Sequence, residues 1–314
     1  MDSVDWKARL DADKSLCVII MALTLLVNCA LFLMILHATG GLFALFKHPR
    51  APRYLTIVGL MIGDISTTFY CMCVAAIEVE LFKQSNSERF LNKNRPYTSC
   101  THIFMAELLF MYLMPFVYGL AFMILAAEGI YRRLKIRAEV TLESPNVLVS
   151  LVIAALPYKI GMAVVVPLTM VNIDYKDCHA LYSDHIQRLK AIHGICLIGS
   201  VVASLFAMFL NIYMYLTHTT QIRRSSLPPS DSNVFSSTRE KMVAFVPNLA
   251  FIVCVLTYGI FGLSYISNKD AKPMEPLSTH IIVTGVIFWL FALRPVVVPL
   301  CWLITGSCKE PPTA

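Results

Sequence analysis

Residues 16–42 read LCVIIMALTLLVNCALFLMILHATGGL. The stretch carries no Asp, Glu, Lys or Arg. It is longer than the roughly 20 apolar residues a helix needs to cross the hydrocarbon core of a bilayer. Working outward, six more segments have the same apolar character: 54–77, 102–131, 147–171, 192–216, 242–266 and 279–304. Backbone groups in lipid must pair within their own segment, so runs of this length are helices. Polar connectors such as KQSNSERFLNKNRPYTSC (83–100) and RRSSLPPSDSNVFSSTREK (223–241) separate them. The sequence therefore predicts an all-α membrane protein, a seven-transmembrane helix bundle over residues 16–305 with short ends at 1–15 and 306–314.

Composition agrees. The 314 residues are 57% hydrophobic and 15% charged, against about 45–50% and about 25% in an ordinary soluble domain. The mean hydropathy of +0.66 is spread over the whole chain, which excludes a soluble enzyme, a disordered chain and a disulfide scaffold. The net charge of +6 comes from short loops, so no nucleic-acid partner is expected. The start is acidic (Asp2, Asp5, Asp11, Asp13) and the first apolar run exceeds a signal h-region, so no cleavable leader is expected. There is no CxxC pair and no zinc-type His/Cys spacing, so neither metal nor cofactor is expected. An intramembrane hydrolase needs clustered His and Asp on facing helices. His37 is nearly alone at depth, so the chain does not read as an enzyme.

Orientation is less legible. The loop Lys and Arg divide twelve to twelve between the two faces, and the positive-inside rule does not choose. Of ten cysteines, only Cys100 and Cys178 fall in polar connectors, both on one face. Bridged, they would mark that face, and the N-terminus, as outside; two separate thiols are the alternative.

Four charges inside the apolar segments are candidates for a partner or a function: Asp64, Glu107, Lys159 and Arg294. Each costs at least about 2.5–3.5 kcal/mol and so demands a partner or a function. Asp64 in the second segment and Arg294 in the seventh fall at similar depth. A direct Asp64–Arg294 ion pair is predicted, the competing reading being an Arg294 that snorkels to the headgroups. Glu107 reads either as the contact for a cationic ligand or as an internal partner of Lys159. Phe110, Tyr258 and Trp289 sit at depths suited to a pocket, although packing or lipid contact is the commoner role of such aromatics.

The residues resemble the rhodopsin-like (class A) G-protein-coupled receptors, in their diverged chemosensory branches such as nematode serpentine receptors. Pro52, Leu60 and Asp64 are similar to the helix-two pattern of that family, Glu128 to the acid of its D/E-R-Y motif, and Pro295 to the proline of N-P-x-x-Y. In helix six, Phe251 and Cys254 resemble the first half of F-x-x-C-W-x-P. Departures accompany these: Gly129 replaces the motif arginine, Val255 and Thr257 the helix-six Trp and Pro, and Arg294 and Val298 the helix-seven Asn and Tyr. Phe288 stands where opsins carry the retinal lysine.

The resemblance implies a Cys100–Cys178 disulfide, an extracellular N-terminus and a place in the plasma membrane. It also implies a small-molecule ligand, with Glu107 at the acidic position of amine receptors, and signalling to a cytoplasmic heterotrimeric G protein by helix rearrangement. Around Asp64 the family holds sodium; here the Arg294 guanidinium would take the ion's place. The G-protein-facing switch would use Glu128, Arg132, Arg133, Pro295 and either Tyr213 or Tyr215. Cys308 beside Lys309 is a palmitoylation candidate, and the basic inner loops would meet anionic membrane lipids. A seven-helix channel or transporter is the alternative function.

Overall fold

The computed structural model describes residues 3–84, 105–106, 108–137, 146–170, 191–222, 244–261 and 286–305. Among these residues all regular structure is helical. Six helices are long and apolar enough to cross a membrane: Val18–Thr39, Ala51–Val74, Leu108–Arg132, Val147–Leu168, His193–Tyr213 and Ala244–Phe261. A bent pair, Val286–Ala292 and Arg294–Thr305, meeting at 51°, brings the number to up to seven. We call these the first to seventh spans. The chain is thus an all-α, multi-pass membrane protein.

Local chemistry sets the span ends. The first helix runs Ser3–Thr39 and stops short of residue 42. Gly40 (φ 79°) and Gly41 (φ 117°) take the left-handed backbone that favours glycine. The Gly41 N–H donates to Leu36 O at 2.8 Å and the Gly40 N–H to His37 O at 3.4 Å, the double bond of a Schellman cap. A short helix, Leu42–Lys47, follows before the second span's helix, Ala51–Gln84. Asn146 caps the fourth span, its Oδ1 accepting the Leu148 N–H at 2.9 Å.

The outer surface is apolar and the interior carries the polar groups. Leu26, Leu148, Val202 and Phe209 are exposed, whereas Asn28, Asp64, Ser204 and Arg294 are buried. This is the distribution a bilayer solvent favours and water does not.

The third span is the axis of the bundle: 56% of its most apolar stretch is buried, against 22% in the fourth. It packs most closely on the fifth, and Gly119 permits the approach. A Cβ there would lie 2.8 Å from both the Cα and the carbonyl oxygen of Ser200. The first span lies against the seventh and the second, and the second against the fourth. Both the third and fifth spans begin in a π-helical turn, Leu108–Leu113 and His193–Ile198.

Candidate functional site

Two prolines create the site. In a π-helical turn the carbonyl of residue i accepts from the N–H of residue i+5. Five residues after Phe110 comes Pro115, which has no N–H. Pro115 therefore cannot supply the π-helical donor to the Phe110 carbonyl, and Arg294 Nη2 donates to that carbonyl from the seventh span at 3.2 Å. The same logic operates on the first span. In an α-helix the Pro295 carbonyl would accept from residue 299, again a proline. Asn28 Nδ2 donates to Pro295 O at 3.1 Å instead, and also to Thr24 O at 2.8 Å.

Arg294 is fully buried, next to the bend in the seventh span. Its guanidinium carbon lies 4.9 Å from the Phe291 ring centroid, 5.2 Å from Phe110 and 5.8 Å from Tyr118. Cation–π attraction strengthens in a desolvated setting, to about 2 kcal/mol or more per contact, and here it holds the charge. Its Nε and Nη1 have no hydrogen-bond partner among the described residues.

Asp64, also fully buried, accepts a hydrogen bond from the Tyr118 hydroxyl through Oδ2, while its Oδ1 has no hydrogen-bond partner among the described residues. Where the sequence predicts a direct Asp64–Arg294 pair, the hydrogen bonds of both side chains go elsewhere. Tyr118 stands between the two charges, bonded to one and presenting its ring to the other.

Aromatic contacts extend this hub in two directions. Tyr118 stacks on Phe251 of the sixth span at 5.4 Å and Trp302 of the seventh at 6.5 Å, and Phe122 packs on both. On the other side, Phe291 packs on Tyr258 at 4.6 Å. Tyr258 stacks on the buried His193 at 6.2 Å, and His193 Nδ1 lies 3.3 Å from the Tyr112 hydroxyl. Arg294 thus sits between two aromatic groups that together draw on the third, fifth, sixth and seventh spans.

The remaining candidates divide. Phe110 and Trp289 line a cavity of about 210 Å³ beside the hub; Tyr258 packs in the aromatic chain instead. Lys159 is exposed on the fourth span. Glu128 Oε1 meets Arg132 Nε at 3.8 Å, one helical turn apart. Tyr213 is exposed and stacks on Phe209 at 6.4 Å, and Pro295 is buried. Cys100, Glu107, Cys178 and Cys308 lie outside the described residues, as do the side chains of Arg133 and Tyr215.

Sequence reasoning found the two charges of the hub and missed Tyr118, Phe291, Trp302 and His193. The usable signal was Pro115: a proline well inside an apolar helix marks a break in that helix's own hydrogen bonding.

Compared with protein-family models and with curated proteins, the sequence matches none. What the fold and site define is a class, a multi-pass helical membrane protein with a charged, aromatic-lined hub at the centre of its bundle.

Proposed function

We propose that this protein is a diverged rhodopsin-like receptor of the plasma membrane, with its N-terminus outside. It takes a small extracellular molecule, in a chemosensory role, and signals to a heterotrimeric G protein. The observation that carries this reading is the hub. Asp64, Tyr118 and Arg294 come from the second, third and seventh spans, and aromatic contacts join them to the fifth and sixth.

A switch needs two packings of similar energy. The hub suits one, because Asp64 Oδ1 and Arg294 Nε and Nη1 hold hydrogen-bonding capacity in reserve. A shift of the third span against the seventh exchanges the Tyr118–Asp64 bond for a direct Arg294–Asp64 pair. Tyr118 then releases Phe251, and with it the sixth span. Glu128 and Arg132 lie on the third span at the face where the G protein would dock, and Cys100–Cys178 would brace the opposite end.

The test is reconstitution of the purified protein with a panel of heterotrimeric G proteins, reading guanine-nucleotide exchange alongside ion flux. Exchange accelerated by the protein supports the receptor reading. Flux without exchange on any heterotrimer overturns it in favour of a channel.

A further inference from the structure

The fourth span carries a charge that the bundle does not use. Lys159 is the thirteenth residue of the 22-residue span Val147–Leu168, within about 3 Å of its middle along the helix axis. Its neighbours fix which way it faces. The Tyr158 hydroxyl donates to Gly59 O of the second span at 2.7 Å. A Cβ at Gly161 would lie 3.0 Å from the Leu113 and Val117 side chains of the third span. Gly161 is about 200° round the helix from Lys159, so Lys159 is on the side away from the bundle. It is exposed, in one stripe with the exposed Leu148, Val152 and Ala163, all within about 40° of it. Among the described residues its ammonium has neither a hydrogen bond nor an ion pair. The headgroups begin roughly 15 Å from the bilayer centre, too far for a lysine's stem to carry its charge out of the hydrocarbon from this depth. A cation held there calls for a counter-charge in the membrane.

We propose that this face of the fourth span docks a membrane-spanning helix of another protein, one that carries an Asp or Glu near its own middle to pair with Lys159. A carboxylate at that depth converts a lone ammonium into a charge-assisted hydrogen-bonded pair, with no water to compete. A neutral polar side chain would leave the charge uncompensated. Ala155 and Ala163, one turn to either side of Lys159, let a second backbone come close. The fourth span is also the least buried of the six, at 22% of its most apolar stretch, so a broad apolar surface surrounds the charge. The occupant is not a second copy of this chain. A twofold contact through this face would set Lys159 beside Lys159. The acids in the described spans are Asp64, which is buried, and Glu128, which is paired with Arg132. The docking is independent of the receptor reading, since it uses neither the hub nor the end of the bundle where a G protein would sit.

The test uses the purified full-length protein in phosphatidylcholine vesicles, with an acceptor dye at its N-terminus. The probe is a donor-labelled synthetic transmembrane peptide of about 20 leucines and alanines with one Asp at its centre. Versions with Asn, Leu or Lys at the same place serve for comparison, and energy transfer reads association. The Asp peptide should associate about five- to thirtyfold more tightly than the Leu peptide, with the Asn peptide weaker than Asp. The preference should survive Lys159→Arg and vanish in Lys159→Leu. Lys159→Asp should transfer it to the Lys peptide, a gain that misfolded protein cannot give. Equal association of the Asp and Leu peptides overturns the proposal, and so does a preference that persists in Lys159→Leu. A preference that appears only after Glu107→Gln overturns it too, because Lys159 is then already paired within the chain. Energy transfer between two differently labelled copies of the protein, lost in Lys159→Leu, assigns the face to a second copy and equally contradicts it.

Discussion

At the residue scale, two carbonyls next to proline breaks, Phe110 and Pro295, accept from side chains of other spans. A buried acceptor left unpaired costs about 1–3 kcal/mol, and interhelical hydrogen bonds in membrane proteins average nearer about 0.6 kcal/mol. Asn28→Leu should therefore lower stability by on the order of 1 kcal/mol. In a Pro299→Ala background the helix regains its own N–H for the Pro295 carbonyl, and Asn28→Leu should cost measurably less. A double-mutant cycle of thermal unfolding checks this, and equal costs in the two backgrounds would refute the proline argument. Arg294→Met removes both the donor to Phe110 and the countercharge to Asp64. It should destabilise by several kcal/mol, in the range of breaking a buried charge pair, about 3–5 kcal/mol. Arg294→Lys should be intermediate, because it keeps the charge but not the planar fork. Thermal unfolding of the two variants ranks them.

At the element scale, six spans and the bent pair that makes up to seven were legible, because a bilayer demands long apolar runs, and these leave a plain mark in any sequence. Their ends were less so. Residues 40–42 stay apolar, but Gly40 and Gly41 close the first helix at Thr39 through backbone geometry that hydropathy does not register. Asp64 and Arg294 stood out as charges in lipid-facing company, yet their partners did not. Tyr118 reads as one more packing aromatic until the third and second spans are brought together. Likewise His193 falls at the start of an apolar run, where its depth depends on how the π-helical turn is placed. The axis of the bundle gives a further prediction. Gly119→Val adds side-chain atoms where even a Cβ would lie 2.8 Å from the Ser200 backbone. Overpacking of this kind typically costs about 1–3 kcal/mol, and at Gly119 the third and fifth spans must separate as well. The melting temperature should fall, while Gly129→Ala, whose Cβ would lie 3.9 Å from Asn211 Oδ1, should leave it nearly unchanged.

At the scale of the whole molecule, the described spans turn a mainly apolar surface outward, Lys159 excepted, and keep Asp64 and Arg294 at the centre, so the bundle's energetics concentrate in a few buried polar contacts. Tyr118→Phe tests that concentration with the least disturbance. It deletes one hydroxyl and leaves the stacks on Phe251 and Trp302 in place. A hydrogen bond to a charged group contributes about 1.5–3 kcal/mol, and losing it should favour the alternative packing in which the sixth span is released. The most direct measurement is the distance between spin labels at Leu134, on the third-span helix, and Phe245, at the facing end of the sixth span. It would be made in a background where the reactive native cysteines are replaced. We predict a single compact distribution in the parent protein, and in Tyr118→Phe a second population longer by several ångströms. Identical distributions in the two proteins would contradict the claim that the Asp64–Tyr118–Arg294 hub holds the bundle in one of two states.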